Sequence, residues 1–95
     1  MSPESLPTAK FRPGRIVATA NARSQLAEED ILAGIRRHQS GDWGEVHPDD
    51  WKANERALEK GARLLSVYRS ASNIRFYIIT EADRSSTTVL LPEDY

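Results

Sequence analysis

The sequence predicts an α+β fold of the order β-α-α-α-β-β-β: a short N-terminal strand, two or three helices, then a three-stranded antiparallel meander with the helices on one face of the sheet. Three observations carry this. Between residues 20 and 60, apolar side chains recur at three- and four-residue spacing, the period of helices with one buried face. From Arg63 the pattern changes to short runs rich in β-branched and aromatic residues. Only four or five residues separate these runs, which is too short for a crossover and right for antiparallel neighbours.

Residues 1–10 hold two prolines, two serines and little to bury, and are expected to be a disordered lead-in to a single domain over 11–95. Phe11 is the first side chain expected to be anchored, ahead of a Pro13–Gly14 turn. The run Arg15-Ile16-Val17-Ala18-Thr19 reads as a strand, and Asn21 as the N-cap of a short helix over 22–27. Glu28-Glu29-Asp30 suits the first turn of a second helix, where carboxylates meet the positive end of its dipole. That helix runs to His38, with Ala27, Ile31, Ile35 and His38 on one face and Leu32 at its margin.

Ser40-Gly41-Asp42-Trp43-Gly44 then breaks the helix, and two glycines around Asp-Trp predict a tight path that tucks Trp43 inward. Pro48, with Asp49 and Asp50 behind it, starts a third helix that Gly61 terminates. Its expected buried stripe is Trp51, Asn54, Ala57 and Leu58, so Asn54 must find hydrogen-bond partners or cost about 1–3 kcal/mol. The meander strands are 64–68, 74–80 and 86–91, with Pro92 ending the last.

Composition narrows the function classes. With 95 residues there is one domain and a thin core, worth roughly 5–10 kcal/mol net. The chain has no cysteine, which removes disulfides, thiolate catalysis and finger-type zinc sites and fits a reducing compartment. No apolar run approaches the length of a membrane span, and the first residues lack the apolar core of a signal peptide, so a cytoplasmic location without membrane association is expected. Thirteen basic residues against fourteen acidic ones give a net charge of −1, which disfavours nucleic acid as the main partner.

Three clusters could carry chemistry. His38, Asp42 and His47 are close enough for acid–base work or a metal. The structural reading is stronger: His38 lies on an apolar helix face, where a ring N–H would go to a backbone carbonyl, and Asp42 between glycines would accept backbone N–H groups. Trp43 and Trp51 flank one loop–helix junction and read as core. Glu81, Asp83 and Arg84 occupy the last hairpin turn, with Thr87 and Thr88 behind them. That is more polarity than a turn requires, and makes this hairpin the expected outward-facing binding surface, where changes to Asp83 and Arg84 should leave the fold intact. There is no Walker loop, dinucleotide fingerprint, H-E-x-x-H or G-x-S-x-G, so no catalytic residue, metal or cofactor is assigned.

The blocks Arg37-His38-x-Ser40-Gly41-Asp42-Trp43-Gly44, Asn54, Ala57-Leu58, Gly61-x-Arg63-x-x-Ser66-x-Tyr68 and Ile79-Thr80-Glu81-Ala82-Asp83-Arg84-x-x-Thr87-Thr88-Val89-Leu90-Leu91-Pro92 resemble a family of small bacterial proteins carried on plasmids, integrated elements and phages. Some of these are labelled type I restriction subunits from gene neighbourhood. The resemblance covers residues 11–95, includes the His38, Asp42, Asn54, Glu81, Asp83 and Arg84 positions, and implies a mobile-element setting rather than a mechanism. The expected function is therefore a non-enzymatic accessory factor that binds another protein, with self-association also open. The enzymatic alternative is a RelE/ParE-type toxin, a ribonuclease or gyrase poison, raised by element order alone.

Overall fold

Local capping chemistry decides where each element begins. The computed structural model describes residues 9–95, in which a strand β1 (Arg15–Ala18) leads into a six-residue helix α1 (Ala20–Gln25). Thr19, not Asn21, is its N-cap: the extended Thr19 backbone lets the hydroxyl accept the Ala22 N–H at 3.1 Å. The Asn21 side chain instead donates to Asp94 near the C-terminus. A second helix, α2 (Glu28–Gln39), has three acids in its first turn and the charges of Arg36 and Arg37 in its last, matching both ends of its dipole. The third, α3 (Pro48–Lys60), starts at Pro48 with His47 as N-cap and stops at Gly61, whose φ of 71° is the left-handed stop.

Three strands follow: β2 (Leu64–Arg69), β3 (Arg75–Thr80) and β4 (Ser86–Leu90), closed by a single 3-10 turn at Pro92–Asp94. The β-α-α-α-β-β-β order is the one expected. β2 pairs antiparallel with β3, and β3 with β4, as a meander must. β1 adds to β4 in parallel, with Arg15 opposite Ser86 and Ala18 opposite Val89, so the sheet is mixed, in the order β1-β4-β3-β2. A parallel neighbour is possible here because the three helices intervene between β1 and its partner.

Alternation assigns the sheet's two faces. Phe76, Ile78, Val89 and Tyr68 point toward the helices and pack with Ala22, Leu26 and Ile35. Gly34 lets α2 approach closely, since a Cβ there would meet Phe76 and Ile78 at 3.1 Å. Trp43, Ala57 and Leu64 form a second cluster under α3. On the far face the C-terminal Tyr95 stands edge-on to Tyr77, with Arg63 over its ring. Two helical expectations need correction. Trp51 is 38% exposed and not part of the α3 stripe, and Ala27 is the exposed N-cap of α2 rather than part of its buried face.

Of the expected lead-in, residues 1–8 lie outside the described residues. The Lys10 N–H donates to the Gln39 carbonyl at 2.7 Å, so anchoring begins before Phe11. No helix among the described residues is long and apolar enough to cross a membrane.

Candidate functional site

The motif residues converge on one buried polar chain. His38 reaches from α2 into the sheet, fully buried, with its ring nearly perpendicular to the neighbouring rings of Phe11 and Trp43. Its Nδ1 bonds the Ser66 hydroxyl of β2, and its Nε2 bonds the Thr80 hydroxyl of β3 at 2.8 Å. Thr80 bonds Thr87 of β4 at 2.7 Å, and Thr87 donates to the Pro13 carbonyl at 2.7 Å. The backbone carbonyl expected as His38's partner is thus replaced by two hydroxyls.

The polarity of this chain is fixed from its end. Pro13 O can only accept, so Thr87 must accept from Thr80, and Thr80 from His38. His38 is then the Nε2–H tautomer, with Ser66 donating to Nδ1. Burial, and secondarily the Arg84 charge, lowers the His38 pKa from its usual 6.5 to about 4, so the imidazole is neutral near pH 7. With both nitrogens engaged and no exposed surface, it braces three strands.

The Gly41–Gly44 loop closes the β2 side of the sheet. Asp42 accepts the Gly44 N–H at 3.2 Å, as expected, and also pairs with Arg37 at 2.7 Å, which holds its carboxyl below the usual carboxylate range. Arg37 lies over the Tyr68 ring, and the Tyr68 hydroxyl donates to the Asp42 carbonyl at 2.6 Å. Trp43 is fully buried and its indole N–H donates to Glu55 at 2.7 Å. The Val67 N–H donates to the Trp43 carbonyl and the Val67 carbonyl accepts from the Glu45 N–H. One residue pair along, Asn54 brackets Leu65, donating to its carbonyl at 2.7 Å and accepting its N–H at 3.1 Å. The partners that Asn54 required are therefore the backbone groups of an edge strand.

The Glu81–Thr88 hairpin does not display its polar groups as a set. Arg84 turns inward and donates to the carbonyls of Ala57 (3.0 Å) and Ala62 (2.6 Å) at the end of α3, with its guanidinium beside Phe11. It does so from a left-handed backbone, φ 62°. Thr87 is buried in the His38 chain and Thr88 half-buried on the far face. Glu81 faces Arg63 at 3.9 Å, and Asp83 accepts the Ser85 N–H at 2.9 Å within the turn. The expectation of an outward-facing cluster is corrected here: Arg84 and Thr87 are internal braces, because a positive-φ turn aims the arginine back at a helix end.

What the outer surface does offer lies at the opposite side of the sheet. Between β1 and α2 runs a groove of about 510 Å³, floored by Val89, Leu26 and Ile35 and flanked by Ile16 and Leu32. Ile16 is 46% exposed and Val17 37%. Arg23 and Glu28 mark its polar margin. Among the described residues no segment pairs with the outer edge of β1. This site was missed in the sequence because a strand's position at a sheet edge is not a local property. The signal that could have found it is the run Ile16-Val17-Ala18, apolar on both faces of a strand, together with Leu32 at the rim of the α2 stripe. Among the described residues no group of three or more metal-ligating side chains comes together.

Set against protein-family models, curated proteins and solved structures, the chain matches nothing.

Proposed function

We propose that this chain is a protein-binding module that engages an extended polypeptide at the edge of β1, with apolar side chains of that polypeptide seated in the β1–α2 groove. The observation that supports it is the groove itself: an apolar channel running beside a strand edge that nothing among the described residues pairs. Strand addition supplies main-chain hydrogen bonds for affinity and a neighbouring pocket for selectivity. The near-neutral charge fits a protein partner better than nucleic acid. The resemblance adds a setting, the accessory proteins of mobile genetic elements.

The test compares the full chain with Leu32→Glu, a change at an exposed position that leaves the fold intact. A partner captured from host cells by the first and not by the second, protecting amides of residues 15–19 from hydrogen exchange, supports this reading. Equal capture by both, or protection confined to other segments, overturns it. The element order also supports a second reading, a RelE/ParE-type toxin, and growth arrest on induced expression would favour that one.

A further inference from the structure

The polypeptide that the β1 edge best fits is β1 itself. We propose that two copies of this chain pair through their β1 strands, antiparallel and about a two-fold axis at Val17, to make one continuous eight-stranded sheet. This rests on the protein-binding reading above and names its partner as a second copy.

Three complementarities carry the inference. The first is main-chain. Arg15 N–H donates to Ser85 and Thr19 N–H to Val89, so the odd-numbered residues of β1 face β4. Alternation then directs the N–H and C=O of Ile16 and Ala18 outward. With Val17 opposite Val17 of the second copy, Ile16 stands opposite Ala18, and the two exchange both bonds. Two-fold symmetry repeats the pair, so all four outward N–H groups and all four outward carbonyls find partners.

The second is apolar. A two-fold axis perpendicular to the sheet keeps both sets of helices on one face. Ile16 and Ala18 lie on that face, since they stand opposite Thr87 and Val89, which point toward the helices. Each copy therefore projects a half-exposed Ile16 beside the other's Ala18, at the mouth of the groove lined by Leu26, Ile31 and Leu32. Ile16, Val17 and Leu32 are three of the five large apolar side chains exposed among the described residues, and this one contact covers them together.

The third is charge. The register that pairs Ile16 with Ala18 sets Arg15 opposite Thr19 of the second copy, with both side chains on the far face. The Thr19 hydroxyl donates to the Asp94 carboxylate at 2.7 Å, and this bond holds that carboxyl below the usual range. Each Arg15 thus faces an ionised carboxylate, twice in the dimer. An unrelated peptide would need all three features at once. A second copy brings them by symmetry, as isologous interfaces do.

Sedimentation of the full chain from about 1 μM to about 1 mM brackets the affinity expected of a small interface. A dimer is expected within that range. Val17→Lys puts two ammonium groups face to face on the axis and should raise the dissociation constant at least tenfold, as like charges directly opposite destabilise a strand pair. Ile16→Pro removes an outward N–H that has no partner among the described residues, a substitution edge strands tolerate, and should do the same. Thermal melts confirm that each variant is folded; should Ile16→Pro unfold the strand, Val17→Lys decides alone. A monomer at every concentration overturns self-pairing and leaves the capture experiment above to judge the binding-module reading by itself. A dimer that survives these substitutions also overturns it, because its interface must then lie elsewhere.

Discussion

The two edges of the sheet are built from similar apolar strands and finished in opposite ways. On β2, every outward backbone group of Leu65 and Val67 is satisfied, by the Asn54 amide on one side and by the Trp43–Glu45 backbone on the other. On β1, the outward groups of Ile16 and Ala18 meet no partner among the described residues. Closing the first edge takes a set of residues that resembles a chemical motif: glycines at positive φ, a tucked tryptophan and a buried asparagine. The lesson is that conspicuous polar residues in a small domain can serve edge protection, while the edge left open is made of ordinary isoleucine and valine, with leucine beside it.

That contrast can be broken at the covered edge first. At Gly44 φ is 76° and an added Cβ would lie 2.0 Å from the Val67 carbonyl, so the loop cannot stay on β2 with a side chain there. Gly44→Ala should cost more than about 3 kcal/mol, a large share of the stability of such a domain, read as a fall in the urea midpoint. A midpoint within experimental error of the parent chain would show that the loop contributes nothing to edge closure.

Acid probes the same region through His38. Its folded pKa of about 4 lies below the usual 6.5, so between these values the unfolded chain binds a proton that the folded protein refuses. Stability is full above about pH 6.5 and falls as pH drops toward 4, by roughly 3 kcal/mol in all at about 1.4 kcal/mol per pH unit. Urea melts at pH 7 and pH 5 measure this directly. Equal stability at the two values would mean that the imidazole is not sealed as described.

The smallest effects sharpen the comparison with a matched pair. Asn54→Ala leaves the Leu65 N–H and carbonyl without their partners and should cost about 2 kcal/mol. Val17→Thr on the open edge, 37% exposed, should change monomer stability by no more than about 0.5 kcal/mol. Comparable losses at the two sites would erase the distinction between a covered edge and an open one.

Much of this frame was legible in the residues, and the exceptions have physical causes. Pro48 and Gly61 bound α3 because a missing N–H and a left-handed stop are local chemistry. His38 and Trp43 are buried as their helix face and glycine-flanked loop required. The bonds of Asn54 could be demanded from its place in an apolar stripe, but their recipient, a strand edge, could not be named. Ser66, Thr80 and Thr87 look like ordinary strand residues, and only the register of three strands assembles them beside His38. Asn21 lost the cap to Thr19 because the Thr19 backbone is already extended where the helix begins, and Trp51 sits too near the start of α3 to be covered. Arg84 was misjudged because nothing in its neighbours announces a positive φ. The pairing of β1 with β4 joins distant parts of the chain and has no local signal at all.

That last pairing has a consequence for synthesis. The strand that completes β1's ladder leaves the ribosome only after the three helices, β2 and β3, so Arg15–Ala18 must wait without that partner while those elements appear behind it. Pairings of such high contact order close late and open early. A nascent apolar strand held waiting in this way is an aggregation hazard. Arg12 and Arg15 stand on its N-terminal side, where flanking charges act as gatekeepers that keep neighbouring nascent chains from zipping onto it.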